Sequence, residues 1–339
     1  MKQICLHPSG KTVDCEDDAT VLSALEGAGY ALPNNCRAGA CGECKVRVVS
    51  GQFDQGFVMD MALSQQERRE GYGLMCMAKP VSDVLTIDWG TEDAKPKLFP
   101  PREDMYYVVT ERIARTPRIV EFRLLPLGQP MRFWPGQYVA IAVPGRNAPP
   151  RHYSIASAPR ADGEIVLQVT RVEGGAVSTW LHDDVPVGSR LQISGPYGTF
   201  IGDPSVDTPV LCLAAGSGLA PILSLTEAAL RRGFRRPVHL LFSARTRADL
   251  YAEGLLAYWQ ARHRNFRWQP TLTGERVAGV EHGRIPGLLP RLFPELREFS
   301  VFVAGQPAFV DDCVAAVKQL DADEKRIHTE GFHLQQGAA

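Results

Sequence analysis

Four cysteines have the spacing expected of ligands to an iron–sulfur cluster. Cys36, Cys41 and Cys44 follow the pattern C-x4-C-x2-C, and Cys76 comes after 31 further residues. A short triplet with one distant cysteine is the plant-type arrangement of thiolates around a [2Fe-2S] cluster. We therefore predict these four residues as cluster ligands. A chain that holds such a cluster transfers single electrons.

The residues between the cysteines suit a loop that folds tightly around a small cluster. The segment Arg37-Ala38-Gly39-Ala40 separates the first two cysteines, and Gly42-Glu43 separates the next two. Small side chains and glycines permit close approach of the backbone. Backbone N–H groups of such a loop can point at the cluster sulfurs.

Two other uses of the cysteines are less consistent with the sequence. Zinc sites usually combine short C-x2-4-C pairs, and one short pair with a four-residue spacer and a distant cysteine fits that pattern poorly. Disulfides are disfavoured because residues 1–10 contain no apolar signal segment. The remaining cysteines fit no ligand pattern and are predicted to be packing residues: Cys5, Cys15, Cys212 and Cys313.

Length and composition are those of a globular protein with several domains. At about 150 residues per domain, 339 residues correspond to two or three domains. Apolar residues make up 45% and charged residues 22% of the chain, and no apolar run approaches the roughly 18 residues of a membrane span. We expect a cytoplasmic protein, because thiols stay reduced there.

Charge is distributed unevenly along the chain. Residues 1–92 contain 8 Lys and Arg against 13 Asp and Glu, whereas the remainder contains 29 against 25. An acidic first segment can steer docking onto a basic surface. The arginines between positions 231 and 247 lack an interleaved series of aromatic side chains, so we expect no nucleic-acid partner.

The first 92 residues have the pattern of a small domain that is half β-structure. Strand-like runs occur at Gln3–His7, Lys45–Val49 and Val84–Ile87, and a helical pattern spans Val21–Leu25 ahead of the cysteine loop. Residues 93–102 contain three prolines and mixed charges and are predicted to be a linker.

Two further segments follow, and their patterns differ. Residues 103–203 alternate apolar and polar positions with frequent turn signals, which predicts a closed antiparallel barrel. Residues 204–339 contain continuous apolar runs, each followed by a helix candidate, which predicts a doubly wound parallel sheet that binds a nucleotide. The predicted barrel strands are Tyr106–Thr110, Ile119–Leu125, Tyr138–Val143, Ile165–Val169 and Arg190–Ile193. The predicted parallel strands are Val210–Ala215, Val238–Ser243 and Ser300–Ala304, with helices at Ala220–Arg232, Asp249–Arg262 and Phe309–Leu320.

Several short motifs in these segments are typical of phosphate-bearing ligands. Gly174 to Thr179 opens a helix candidate, which would place backbone N–H groups near a pyrophosphate. Gly216, Gly218 and Pro221 lie where a buried strand meets a helix, although proline at 221 departs from the full G-x-G-x-x-G fingerprint. Arg151-His152-Tyr153-Ser154 begins a barrel strand, and Gly195 to Gly198 is expected to close the barrel with a turn.

The order of these motifs resembles a known family. Together with the cysteine loop and a late Ala-Gly-x-Pro at Ala304–Pro307, they resemble the ferredoxin–NAD(P)H reductase superfamily. More closely, the chain is similar to the iron–sulfur flavoprotein reductases of bacterial multicomponent mono- and dioxygenases. The resemblance implies a β-grasp-like ferredoxin domain at 1–92, a β-barrel FAD domain at 103–203 and an NAD(P)H domain at 204–339.

The resemblance also implies roles for individual residues. Arg151 would contact the FAD pyrophosphate, Tyr153 would pack beside the flavin and Ser154 would lie near its reactive N5 atom. The turn of Gly174, Gly175 and Ser178 would complete the pyrophosphate site. Gly216, Gly218 and Pro221 would face the nicotinamide dinucleotide, Gly305 would lie near the nicotinamide and Phe332 would border the flavin.

One residue departs from the family pattern, and the nucleotide donor stays open. Relatives usually carry cysteine in C-G-P-P, where this chain has Ala304, and we expect slower hydride transfer or looser nicotinamide placement. The segment from Phe242 to Tyr251 is similar to that of relatives that use NADH. Arg245 or Arg247 could instead pair with the 2′-phosphate of NADPH. We favour NADH and leave NADPH open.

The predicted function is electron transfer to an oxygenase system, and two alternative functions stay open. In the predicted function, NAD(P)H reduces FAD, FAD reduces the [2Fe-2S] cluster at about −400 mV, and the cluster reduces a terminal oxygenase component or a ferredoxin. In the first alternative, the same cofactors serve a deoxysugar (CDP-hexulose) dehydrase. In the other, the chain is a redox-sensing module, which predicts degenerate nucleotide sites.

Overall fold

The structure, a computed structural model, describes residues 1–145, 148–203 and 206–332. These residues form two units. One consists of Met1–Arg102 with Pro196–Thr199, and the other of Glu103–Gly195 with Phe200–Phe332. Among the described residues, no helix has both the length and the apolarity needed to cross a membrane.

The first unit is a mixed sheet with a helix packed on it. Its five main strands are arranged in the order β2-β1-β7-β3-β5, with β1 and β7 parallel at the centre. Thr20 caps the helix α1 through its side chain, and α1 buries Val21, Leu22 and Leu25 against the sheet. The strands are β1 (Lys2–His7), β2 (Lys11–Cys15), β3 (Lys45–Ser50), β4 (Phe53–Asp54), β5 (Tyr72–Leu74), β6 (Lys79–Pro80) and β7 (Val84–Asp88), and the helices are α1 (Val21–Gly27) and α2 (Gln65–Arg69).

The segment predicted as a linker is attached to this first unit. The backbone N–H groups of Lys97 and Leu98 donate to the carbonyl of Gly29 at 2.8 and 2.9 Å. Leu98 is buried, and β8 already begins at Arg102. The proline-rich segment is therefore packed rather than extended.

The second unit begins with a six-stranded antiparallel barrel. Its strands follow the order β11-β10-β13-β8-β9-β12, and a bridge between Ile155 and Leu167 joins the two edges. Gly195–Tyr197 lies inside β13, so the predicted turn there was wrong; extended pairing continues through the glycine. The elements are β8 (Arg102–Ala114), β9 (Ile119–Pro126), β10 (Tyr138–Ile141), β11 (Arg151–Ser154), β12 (Ile165–Thr170), α3 (Ala176–Asp183) and β13 (Arg190–Tyr197).

A parallel sheet with helices on both faces completes the second unit. Its strands follow the order β17-β16-β15-β14-β18-β19, and all neighbours are parallel. Helices α4 and α5 pack on one face, and α6 and α7 pack on the other. The elements are β14 (Val210–Ala215), α4 (Leu219–Arg231), β15 (Val238–Ala244), α5 (Glu253–Arg262), β16 (Phe266–Leu272), β17 (Glu281–His282), α6 (Ile285–Leu292), β18 (Ser300–Gly305), α7 (Pro307–Gln319) and β19 (Ile327–Gly331).

The strand order of this sheet fixes where a ligand can bind. The order reverses between β14 and β18, and ligands of open parallel sheets bind at the carboxyl ends of strands at such a reversal. The ends of these two strands are Ala215 and Gly305. This is the edge to which the sequence motifs assign the nucleotide.

Candidate functional site

The four predicted cluster ligands lie together in the first unit. Cys36, Cys41 and Cys44 occupy the loop between α1 and β3, and Cys76 follows β5. Cys36, Cys44 and Cys76 are buried, and Cys41 is partly exposed. Residues that are distant in sequence thus meet beneath one loop.

The thiols are arranged in two pairs. Cys36 shares a hydrogen bond with Cys41, and Cys44 shares one with Cys76. In each pair this bond is the main cause of a split in pKa: the pKa is lowered for Cys36, to about 5, and for Cys76, and it is raised for Cys41 and Cys44. Four cysteines hold a [2Fe-2S] cluster, so this loop brings together the number of thiols that such a cluster needs.

The loop backbone is directed at the thiols. The N–H groups of Ala38 and Ala40 donate to Cys36 Sγ at 3.4 Å, and the N–H of Cys76 donates to Cys44 Sγ at 3.4 Å. Gly39 has φ of +69°, and a Cβ there would lie 2.9 Å from the carbonyl oxygen of Phe57. Only glycine fits this close approach without displacing the neighbouring backbone.

A buried carboxylate fixes the start of the cluster loop. Glu26, on α1 and 2% exposed, accepts two bonds from Arg37 Nη1 at 2.6 and 2.7 Å and one from Asn34 Nδ2 at 3.3 Å. Arg37 has a positive φ of 55°, which is uncommon for a residue with a side chain. Burial raises the pKa of Glu26, and the Arg37 guanidinium opposes that rise.

In the second unit, strand β11 carries the residues assigned to the flavin. Its pairing with β10 places Tyr153 opposite Val139 and Ser154 opposite Tyr138. Arg151 Nη1 donates to the carbonyls of Pro149 and Pro150 at 3.2 and 3.3 Å. Burial raises the pKa of Tyr153, so its hydroxyl stays neutral.

Ser154 has a partner that sequence reasoning did not assign to the site. Ser154 Oγ donates to Glu330 Oε1 at 3.2 Å, and both residues are buried. Burial raises the pKa of Glu330 to about 8, so this carboxyl is largely protonated at neutral pH. Its other oxygen, Oε2, is buried without a hydrogen-bond partner among the described residues. Its only sequence signal was its position two residues before Phe332, the residue that the resemblance placed beside the flavin.

The side chain of Ser178 holds the glycine–serine turn that precedes α3. Ser178 Oγ accepts from the N–H of Val172 at 3.1 Å and donates to the carbonyl of Gly175 at 3.2 Å. The N-cap of α3 is Gly175, which has no side chain to bond to the first N–H groups of the helix. Ser178 therefore shapes the turn of Gly174 and Gly175, and the backbone is what the turn presents to a ligand.

The nucleotide turn lies at the strand reversal. Gly216–Gly218 forms a single 3-10 turn after β14, and Pro221 lies in the first turn of α4. A Cβ at Gly218 would lie 2.1 Å from the carbonyl oxygen of Ala304, so no side chain fits. Gly305 ends β18 beside this turn, and its carbonyl accepts from the N–H of Phe332 at 2.8 Å.

Acidic side chains surround the arginines that follow β15. Arg247 Nη1 forms an ion pair with Glu253 Oε2 at 2.6 Å, and the backbone N–H of Arg247 donates to Glu275. Arg245 is exposed. Of the two arginines considered for a 2′-phosphate, Arg247 is thus already paired with a carboxylate.

Three stretches of the chain match known domains. Residues 5–81 match a 2Fe-2S iron-sulfur cluster binding domain, residues 106–201 an oxidoreductase FAD-binding domain and residues 212–315 an oxidoreductase NAD-binding domain. These matches confirm the predicted cofactors, which are a [2Fe-2S] cluster, FAD and a nicotinamide dinucleotide. They also confirm the predicted fold class.

Relatives match over nearly the full length. The reductase subunit of an aromatic O-demethylase from Amycolatopsis sp. is 37% identical over 329 residues, 95% of this chain and 96% of that protein. The reductase component of phenol 2-monooxygenase from Pseudomonas sp. is 33% identical, over 97% of this chain and 94% of that protein. The crystal structure of the Amycolatopsis cytochrome P450 reductase GcoB has a TM-score of 0.88 and 33% identity, covering 98% of this chain and 99% of that one.

A relative of the second predicted kind also matches. The CDP-6-deoxy-L-threo-D-glycero-4-hexulose-3-dehydrase reductase of Yersinia pseudotuberculosis is 28% identical over 309 residues, 90% of each chain.

Proposed function

We propose a function for this chain, which belongs to the iron–sulfur flavoprotein reductases of oxygenase systems. It carries electrons from NADH through FAD and a [2Fe-2S] cluster to the terminal component of an oxygenase system. The observation that carries this proposal is that the four predicted ligand thiols lie together, with backbone N–H groups of the loop donating to Cys36 Sγ and Cys44 Sγ at 3.4 Å. When bound, FAD accepts an electron pair from NADH and the cluster accepts one electron at a time.

The residues of β11 fit a bound flavin. The Arg151 guanidinium offers the planar fork that suits a pyrophosphate, and Tyr153 offers an aromatic face. Ser154 holds a proton at Oγ, which its bond to Glu330 orients. Among the described residues, Oε2 of Glu330 has no hydrogen-bond partner, so it offers a ligand a second polar atom beside Ser154. We assign Ser154 and Tyr153 to the reacting end of the flavin.

The strand reversal fits a nicotinamide dinucleotide. The turn Gly216–Gly218 and the start of α4 offer backbone N–H groups and the positive end of a helix to a pyrophosphate. Gly305 ends the neighbouring strand, where a Cβ would lie 2.8 Å from Phe309 Cδ1 and 3.3 Å from Ala215 Cβ, so glycine keeps this strand end uncrowded. Ala304 lies between Ala214 and Glu330 in the sheet, which places the residue that replaces the family cysteine next to the acid.

We propose NADH as the donor. A 2′-phosphate of NADPH would meet the carboxylates of Glu253 and Glu275, which already bind Arg247. Carboxylates repel a phosphate, whereas they accept hydrogen bonds from the ribose hydroxyls of NADH. Arg245 remains as a surface arginine at the rim of this site.

We assign a terminal oxygenase component as the electron acceptor. We assign the cytoplasm as the compartment, because the ligand thiols need reducing conditions. The relatives named for a monooxygenase and an O-demethylase are 33% and 37% identical, against 28% for the dehydrase reductase. The redox-sensing alternative predicts degenerate nucleotide sites, whereas Ser154, Gly216 and Gly218 are all in place.

The test of the partner is reconstitution. The purified protein is combined with NADH and an oxygenase component encoded beside it, and product formation is compared with NADH consumption. Coupled product formation that depends on the reductase supports the proposal. Turnover of a nucleotide-sugar dehydrase instead, with no oxygenase turnover, would move the assignment to the deoxysugar alternative.

A further inference from the structure

A buried tyrosine joins the nucleotide turn to the barrel. Tyr251 lies between the 3-10 turn at Arg247–Asp249 and α5 and is 4% exposed. Its ring packs edge-on against Phe242 of β15, with centroids 5.4 Å apart. Its hydroxyl lies 3.1 Å from the carbonyl oxygen of Gly216 and 3.0 Å from Gln168 Oε1. One side chain therefore contacts the turn and a barrel strand together.

The chain of hydrogen bonds continues through the barrel. Gln168 on β12 donates from Nε2 to Glu121 Oε2 at 3.0 Å, and the two residues are direct cross-strand neighbours on β12 and β9. Arg115 donates two hydrogen bonds to the same carboxylate, at 3.1 and 2.7 Å. Gln168 and Glu121 are each 5% exposed. An ion pair in the barrel thus anchors the amide that faces Tyr251.

The direction of each bond follows from the donors available. The carboxylate of Glu121 only accepts, so Gln168 must turn its amide nitrogen toward Glu121 and its oxygen toward Tyr251. Tyr251 then has one proton shared between two acceptors: Oε1 of the buried Gln168, and the Gly216 carbonyl, which also accepts from the N–H of Leu219. Loss of the Tyr251 hydroxyl removes a donor from the buried Gln168 Oε1, which costs free energy, and frees the turn from its bond to the barrel side.

The Gly216 carbonyl belongs to the turn that would receive the dinucleotide. The turn also accepts backbone hydrogen bonds from the N–H of Leu219, and its Gly218 lies close to the carbonyl of Ala304. Of the three residues of this turn, only Ser217 has a side chain, and glycines leave the backbone free to move. Its position relative to the barrel strands that carry the flavin residues therefore depends on contacts such as this one.

We propose that Tyr251 is a positioning residue for the nicotinamide dinucleotide, and that it acts by tying the Gly216 turn to the barrel through Gln168, Glu121 and Arg115. This inference rests on the proposed dinucleotide site at Gly216–Gly218. Tyr251 does not touch the ligand. It sets where the turn lies when the ligand arrives.

The test uses Tyr251→Phe, which removes the hydroxyl and keeps the ring against Phe242. Hydrogen–deuterium exchange of peptides covering Gly216 should increase, and the Kd for NAD+ measured by titration calorimetry should rise by about threefold to tenfold, the value of one buried hydrogen bond. The limiting rate of flavin reduction at saturating NADH should change less than the Kd. Tyr258→Phe, at a tyrosine 61% exposed on α5, is the matched control and should leave all three unchanged.

A second variant tests the barrel end of the tie. Gln168→Met removes the amide but leaves the bond of Tyr251 to Gly216, so it should raise the Kd in the same direction by a smaller factor. FAD content and melting temperature report whether either variant is misfolded. A change with Tyr251→Phe and none with Gln168→Met would overturn the barrel anchor.

Unchanged exchange and unchanged Kd in both variants would overturn the inference as a whole. Failure of the wild-type protein to bind NAD+ would contradict the proposed dinucleotide site instead. In that case the exchange measurement still decides whether Tyr251 holds the turn.

Discussion

Ser154 and Glu330 are 176 positions apart in sequence, yet Ser154 Oγ donates to Glu330 Oε1 at 3.2 Å. The bond joins the end of a barrel strand, β11, to the last strand of the parallel sheet, β19. Because Glu330 is buried and its pKa is raised to about 8, the pair holds a proton in a site shielded from water. We propose that this pair hydrogen-bonds to the flavin at its reacting atom.

Ser154→Ala removes the hydroxyl that we assign to the reacting end of the flavin. The limiting rate of flavin reduction by NADH should fall by about a hundredfold, the scale of a positioned proton-bearing group. Anaerobic stopped-flow absorbance measures this rate, and the flavin content of the purified variant shows that FAD still binds. Ser157→Ala, at another buried serine of the barrel, is the control. Equal rates in wild type and Ser154→Ala would remove Ser154 from the catalytic assignment.

Glu330→Gln should change how stability depends on pH. The pKa of Glu330 is raised from 4.5 to about 8, so between these values the unfolded chain is ionised while the folded protein keeps the proton. Stability from this group is complete below pH 4.5 and is lost as pH rises toward 8. The advantage of Glu330→Gln should therefore grow by about 1.4 kcal/mol per pH unit in that window.

Thermal unfolding of both proteins at several values between pH 5 and pH 8 measures this advantage. The gap in melting temperature should widen steadily as pH increases. A gap that stays constant with pH would show that Glu330 is ionised in the folded protein. Glu324→Gln, at a mostly exposed carboxylate, controls for the loss of one charge.

Cys41→Ser should separate the two redox functions. Loss of one thiolate should abolish the visible absorbance of the cluster, because each iron needs both of its ligands. NADH-dependent reduction of ferricyanide should persist, because electrons can leave from FAD. Cys5→Ser, at a cysteine outside the ligand pattern, should retain both properties. Survival of cluster absorbance in Cys41→Ser would refute the ligand assignment.

The carboxylates around Arg247 should determine the choice of donor. The double variant Glu253→Gln with Glu275→Gln releases Arg247 from its ion pair and removes two negative charges. The kcat/KM for NADPH should rise by about tenfold, as expected from one new charge-assisted bond to the 2′-phosphate, and the value for NADH should change little. Steady-state reduction of ferricyanide gives both constants. A wild-type protein that already prefers NADPH would contradict the donor assignment.

Local patterns were sufficient to predict most of the fold. The alternation in β9, the apolar run of β14 and the glycines after it each encode their element in consecutive residues, and the observed bounds lie within a few residues of the predicted ones. The helix predicted from Asp249 begins instead at Glu253, because Ala252 has a φ of +59°. Helix α6 and strand β16 were missed, since Pro286 and Pro290 in α6 and Pro270 in β16 obscure the pattern.

The long-range parts of the site could not be read from local patterns. Spacing identified the four cysteines, but their pairing two by two depends on how Cys76 returns to the loop. Nothing near Ser154 indicates that Glu330 will lie beside it, and nothing near Tyr251 indicates Gln168. Each of these contacts is created by the packing of strands that are far apart in sequence.

The central claim is that electrons from NADH reach the cluster through FAD within this one chain. The most direct test is an anaerobic titration of the purified protein with NADH, followed by visible absorbance and electron paramagnetic resonance. The account predicts bleaching of the flavin together with the signal of a reduced [2Fe-2S] cluster. Bleaching without that signal would contradict the relay, and no bleaching with NADH or NADPH would contradict the reductase assignment itself.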